Sequence, residues 1–212
     1  LQPACIIGNN HHHTPFEGED MQMFERDVPG ENKSGLSGQS ISRLPLETCQ
    51  TMNGMWGYKI KDQNYKSTKE LLRLLVRTSS KGANLLLNVG PQPNGELPAL
   101  ALQRFKEMGQ FLNGKAAESI YATQAGGYHQ GDSIVTTRNN AQRALYVHLL
   151  TDGEHTSVEG RVMMVVADDA CGLQLMDKRI LLRQLPVEGS GILIVVPPSV
   201  KPDTVDLAVV GE

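Results

Sequence analysis

Apolar positions first gather in Ala4-Cys5-Ile6-Ile7-Gly8, a run that predicts a short strand over Ala4–Gly8. From residue 9 to about 46 the pattern dissolves. Gly18, Pro29, Gly30, Gly35, Gly38 and Pro45 interrupt it, and the stretch reads as one long irregular loop. Connections of this length greatly exceed the usual 2–6 residues between strand and helix, and they are more often functional than idle. ETCQTMNGMWGY, Glu47 to Tyr58, has the mixed texture of a strand followed by a turn. Ser67-Thr-Lys-Glu70 is a capping box, in which the serine oxygen accepts from the N–H three residues on and Glu70 reaches back. It predicts a helix from Lys69 to about Ser79, whose Leu71, Leu72, Leu74, Leu75 and Val76 form a broad apolar face. Gly82 stands where that helix would stop. Leu85–Val89 is an unbroken apolar run, as expected of a strand buried on both faces, and it leads directly into Gly90-Pro91. Pro98 suits a first helical turn, because its missing N–H has no partner there anyway. The next helix is expected over Pro98–Asn113, with Leu100, Phe105, Met108, Phe111 and Leu112 on its buried side.

After Ser119 the texture changes. SIVTTRN, RALYVHLL, VEGRVMMVV, LQLMDK, RILLRQL, GILIVVP and VDLAVVGE are short runs rich in β-branched residues, separated by turn formers. Their spacing and lack of helical period predict an antiparallel sandwich or barrel. The fold class is therefore α/β followed by all-β, with parallel strands first and antiparallel strands second. The boundary falls near residues 115–122, giving domains 1–118 and 119–212.

Composition narrows the function classes. The net charge of −3 over 212 residues provides no basic field for nucleic acid. No apolar run approaches the roughly 18–20 residues that cross a bilayer. Cys5, Cys49 and Cys171 are odd in number and widely spaced, unlike a disulfide framework or a CxxC site, and read as small hydrophobes. The chain opens in the middle of a strand-like run, as expected of a piece of something longer.

The reactive groups concentrate in the long loop. Between Asn9 and Asn32 lie His11, His12 and His13 and six carboxylates, Glu17, Glu19, Asp20, Glu25, Asp27 and Glu31. A solvated surface loop has the same composition. Three adjacent histidines diverge in a strand or loop, whereas zinc sites use separated spacings, so no metal is expected. One of the histidines is a candidate hydrogen-bond partner for a sugar hydroxyl. Trp56, the only tryptophan, sits between Gly54 and Gly57, where a flat object can approach its ring. Asn88 ends a strand, and Asn94-Gly95 is a turn. GxGxxG, P-loop, GxSxG and HExxH patterns are absent. A carboxylate enzyme, a binding module and a structural fragment remain.

The ordered set MFERDVP, LETCQTMNGMWGYKIKDQNYKS, ELLRLLVRTSSKGANLLLNVGPQPNGELP and FLNGKAAESIYAT resembles the α-L-fucosidases of glycoside hydrolase family 29 over residues 1–125. The resemblance implies the C-terminal part of a (β/α)8-like barrel followed by a small β-sandwich, with the site at the strand C-termini. It implies a retaining exo-glycosidase acting on terminal α-L-fucosyl linkages of oligosaccharides or glycoconjugates by a two-carboxylate double displacement. No cofactor, nucleic acid or membrane is expected. The compartment expected from the family is secreted, periplasmic or lysosomal in type. The nucleophile is an Asp in a Trp-x-Asp-Gly-like setting, which this chain lacks, so it is expected upstream of Ala4. Glu25 matches the acid/base, with Glu31 as second choice and Met21, Met23 and Phe24 as its apolar surroundings. Trp56 matches the aromatic wall. Where the family has Asn-Asp-Arg this chain has Asn9-Asn10-His11, and His11 is expected to take over substrate contacts. The alternative reading is a non-catalytic carbohydrate-binding protein or an inactive barrel fragment.

Overall fold

The computed structural model describes residues 2, 4–113, 115–132, 134–141 and 144–150, and beyond them the strands at 161–164, 173–175, 183–187, 191–195 and 207–210. Two compact units divide the chain, Leu1–Gly109 and Gln110–Glu212. Cys171 and the turns between the last strands lie outside the described residues.

The first unit is built on four parallel strands in the order β1 (Gly8–Asn9), β2 (Met21–Glu25), β3 (Leu46–Thr51) and β4 (Ala83–Asn88). Two expectations are corrected here. The strand foreseen over Ala4–Gly8 is only Gly8–Asn9, and Ile6 and Ile7 are exposed. The stretch taken as continuous loop contains β2. Its buried positions are Gln22 and Phe24, and a polar residue in the core erases the apolar alternation a strand would show. Gln22 is tolerated because Nε2 donates to Ser40 O (2.8 Å) and Oε1 accepts from Ser42 N (2.8 Å). The sheet register places Gln22, Phe24, Leu46, Thr48, Ala83 and Leu85 on one face, where Phe24, Leu46 and Ala83 form a buried cluster. Met21, Met23, Glu25, Cys49, Thr51, Leu86 and Asn88 share the other. Phe24 thus points away from Glu25, and of the three apolar residues expected beside that carboxylate only the methionines share its face.

The crossover from β3 to β4 is α1 (Thr68–Ser80). Ser67 caps it in both directions: Glu70 N donates to Ser67 Oγ (3.2 Å) and Ser67 N donates to Glu70 Oε2 (2.7 Å). Those contacts hold the Glu70 carboxyl below the ordinary carboxylate range. Gly82, at φ 72°, turns the chain out of the helix into β4. The second helix, α2 (Ala99–Leu112), buries Ala101 and Met108, while Leu102 and Phe105 are exposed. Of the apolar side expected for it, Met108 is buried, Leu100, Phe111 and Leu112 are half-buried and Phe105 is exposed, and polar groups also fasten α2. Arg104 Nε donates to Lys66 O (3.2 Å), and Glu107 accepts from Thr68 Oγ1.

The second unit contains two antiparallel sheets. One has five strands in the order β5 (Gln124–Gln130), β6 (Ile134–Asn139), β7 (Ala144–Leu149), β12 (Leu207–Val210) and β9 (Leu173–Leu175). The other has β10 (Arg183–Val187), β11 (Gly191–Val195) and β8 (Arg161–Met164). Strand β5 carried no sequence signal because Gly126-Gly127 interrupts it, and the β5–β6 register shifts between Ala125 and His129.

His148 on β7 is fully buried. Thr137 Oγ1 donates to Ser119 O (2.6 Å), so it accepts from His148 Nε2–H (2.8 Å), and Nδ1 has no partner among the described residues. Burial pushes the imidazole pKa down to about 3 from 6.5. The unfolded chain therefore binds one more proton than the folded chain between those values, and stability falls as pH drops through that window. The slope approaches about 1.4 kcal/mol per pH unit, so this residue alone costs about 2 kcal/mol between pH 7 and pH 5. Amide exchange of β6 and β7 should accelerate accordingly on acidification. His148→Leu should flatten that part of the profile. An unchanged profile in the variant would show that His148 does not carry it.

Candidate active site

Parallel strands present all their C-terminal ends on one side, and each contributes to a single constellation. Glu25 is the last residue of β2. Its Oε2 accepts from Asn10 Nδ2 (3.2 Å), and His12 Nε2 lies 3.8 Å from the same oxygen. The Glu25 side chain is half-buried. Cys49, its neighbour on β3, is buried, and burial and then the charge of Glu25 raise its thiol pKa, which disfavours the thiolate.

The chain leaving β3 turns sharply at Met52–Met55 and delivers Trp56. Thr51 Oγ1 donates to Met55 O (2.9 Å), and Gly54 N donates to Asp62 Oδ2 (3.0 Å). The Lys66 ammonium donates to Thr51 O (2.7 Å). Burial, then the nearby Arg26 charge, lowers the Lys66 pKa. From β4, Asn88 Nδ2 donates to Trp56 O (2.7 Å). Gly90 then runs so close to Gly57 and Tyr58 that a Cβ at position 90 would lie 2.3 Å from Tyr58 N. The run of leucines therefore ends in Asn-Val-Gly because Asn88 and Gly90 are the mould for the tryptophan loop. Arg26 closes the arrangement from β2: its Cζ lies 5.1 Å from the Trp56 ring centroid and its Nη2 donates to Gly54 O (3.2 Å).

A sequence model of the family described as alpha-L-fucosidase matches residues 1–117, more than half of the chain. The chain belongs to the alpha-L-fucosidase family. It is 38% identical over 80 residues to the plasma alpha-L-fucosidase of Rattus norvegicus and 36% identical over 80 residues to that of Homo sapiens. Each match takes in 36% of this chain and 17% of the relative. Among solved structures, alpha-L-fucosidase isoenzyme 1 from Paenibacillus thiaminolyticus superposes with a TM-score of 0.75 at 26% identity, covering 100% of this chain and 51% of that one. The chain thus spans a small part of the curated fucosidases it matches and about half of this solved one.

Of the four residues singled out from sequence, Glu25 ends β2 and Trp56 lies in the loop after β3, and the residue after Glu25, Arg26, reaches the Trp56 ring. Glu31 does not join them. It pairs with Arg77 in the last turn of α1 and with Lys33 Nζ (3.2 Å). The polar atoms of His11 are also engaged elsewhere: Nε2 meets Glu19 Oε1 (2.9 Å) and Nδ1 accepts from His13 N (3.1 Å), with Phe16 stacked on the ring. Burial tends to raise the Glu19 pKa. Donors from Phe16 N, Asn9 and His11 overcome this and leave it below the ordinary range. Sequence reasoning missed Asn10, His12, Arg26 and Gly90. His12 and Arg26 have φ of 64° and 66°, a conformation that side-chain identity alone does not announce. Among the described residues no group of three or more His, Cys, Asp or Glu could hold a metal ion.

Proposed function

We propose that the protein to which this chain belongs hydrolyses terminal α-L-fucosyl linkages of fucosylated oligosaccharides or glycoconjugates with retention of configuration. The observation that carries this is a half-buried carboxyl, Glu25, at the C-terminal end of a parallel strand and followed directly by the arginine that lies over Trp56. In this reading the four strands are part of a (β/α)8-like barrel, whose catalytic groups stand at strand C-termini. Residues 1–118 belong to that barrel and 119–212 form a β-sandwich. Glu25 protonates the departing glycosidic oxygen and then takes a proton from water. The nucleophile is an Asp outside these 212 residues, about 5–5.5 Å from Glu25 across the anomeric carbon. Trp56 is the wall against the apolar side of fucose. Asn10 and His12, which face Glu25, take the substrate-contact role expected of His11, and Glu31 serves the α1 junction instead of the chemistry.

Proton NMR of the full-length protein turning over an α-L-fucoside tests the reading. The first fucose released should be the α anomer, with mutarotation following. Initial appearance of the β anomer, or no release, would remove the double displacement.

A further inference from the structure

We propose that Arg26 is a positioning residue that fixes the face of the Trp56 indole relative to the Glu25 carboxylate. This rests on the reading of Trp56 as the sugar wall.

Arg26 follows Glu25 directly and adopts φ 66°, a left-handed conformation that a long side chain enters at a cost. It is held there from both sides. Its N–H donates to Cys49 O (2.8 Å), and its carbonyl accepts from Gln50 Nε2 (2.8 Å). A residue kept in such a conformation beside a candidate acid calls for a reason. The reason visible here is direction: the turn sends the side chain toward the loop after β3, where the guanidinium covers the indole and grips Gly54 O. The backbone of the tryptophan loop has its own anchors in Asn88 and Gly90. Neither touches the ring's orientation, since one bonds a carbonyl and the other packs against main chain. The guanidinium is the cation that meets the ring itself, and it lies over one face. Because Arg26 follows Glu25 directly, the cation that meets the indole is carried by the same strand end as the acid.

Four variants separate this from a merely structural role. Arg26→Gly removes the stack and relieves the left-handed strain. Arg26→Ala removes the stack and keeps the strain. Arg26→Lys keeps a cation. Trp56→Ala removes the ring. Arg26→Gly should resist denaturant at least as well as Arg26→Ala. Both should still raise KM for fucosides about five- to tenfold, with kcat within about twofold. Arg26→Lys should recover part of the loss. In the double variant Arg26→Gly/Trp56→Ala the effect should be no larger than that of Trp56→Ala alone. Trp56 is the only tryptophan of these 212 residues, and in the full-length protein its emission, taken as the difference between the parent and Trp56→Ala, reads the contact without any sugar. Emission and acrylamide quenching should change in Arg26→Gly and Arg26→Ala and less in Arg26→Lys. Unchanged fluorescence together with an unchanged KM in Arg26→Gly would overturn the proposal, as would effects of the two single changes that multiply. If Glu25→Gln retains full activity, the acid/base reading fails. The fluorescence comparison still decides the stack.

Discussion

Replacing Glu25 by Gln should lower kcat on an unactivated α-L-fucoside by about 10²–10⁴-fold, the range associated with a lost general acid. The local structure explains why so small a change matters. Glu25 is fixed at the end of β2, one of its oxygens is held by Asn10 Nδ2, and its face of the sheet is shared with Met21 and Met23. Glutamine keeps the size and the bond from the asparagine carboxamide to an oxygen, but has no proton to give at the acid's strength. An aryl fucoside with a good leaving group needs little protonation, so its first step should be nearly unaffected. Its second step should then stall for want of a base, and a small anion such as azide, which needs none, should restore turnover. Glu31→Gln gives the contrast. It loosens a contact with Arg77 and Lys33 on the far side of the connection and should leave turnover near the unaltered value. Full activity of Glu25→Gln on the unactivated substrate would assign the acid elsewhere.

The second large effect is expected at Gly90. An alanine Cβ would stand 2.3 Å from Tyr58 N, 2.5 Å from Gly57 C and 2.9 Å from Tyr58 Cα. All three are main-chain atoms, so no side-chain rotation relieves the overlap, and one of two loops must move. Overpacking of this kind costs about 3 kcal/mol. The same movement would drag Trp56 off the position that Asn88 and Arg26 define, so Gly90→Ala should lose both denaturant resistance and affinity for fucosides. Gly57→Ala, in the opposing loop, is the control: a Cβ there meets nothing within 4 Å. Equal stability and equal KM for the two variants would mean that the loops separate at little cost.

How much of this was legible beforehand depended on whether the signal was local. The helix α1, its capping box and β4 were written in contiguous residues and lie within two residues of where the pattern placed them, but β4 is not buried on both faces as expected: Leu86 is exposed and Leu85 and Leu87 are half-buried. Strand β2 was hidden because Gln22 fills a core position, and its partners at Ser40 and Ser42 are 18 and 20 residues away. The site split in the same manner. Glu25 and Trp56 stand out by type and by motif. The fate of Glu31 turned on Arg77, 46 residues along the chain. Which of three consecutive histidines faces the carboxylate turned on one backbone angle at His12. Arg26 looked like an ordinary charged residue until the left-handed turn was seen.

The link from β2 to β3 has a mechanical consequence. Parallel strands are ordinarily joined by a helix, which satisfies its own amides and can be exchanged for another. Here an extended strap does the joining, and it borrows from the strand it returns along: Gln39 Nε2 bonds Met23 O, Ser37 Oγ bonds Glu25 O, and Gln22 is clasped by Ser40 and Ser42. Strand and strap are thereby laced into one splint. Transplanting this rim onto another scaffold would require carrying all of 21–45 as a unit, because a generic linker would leave the strand bearing Glu25 without its stitching.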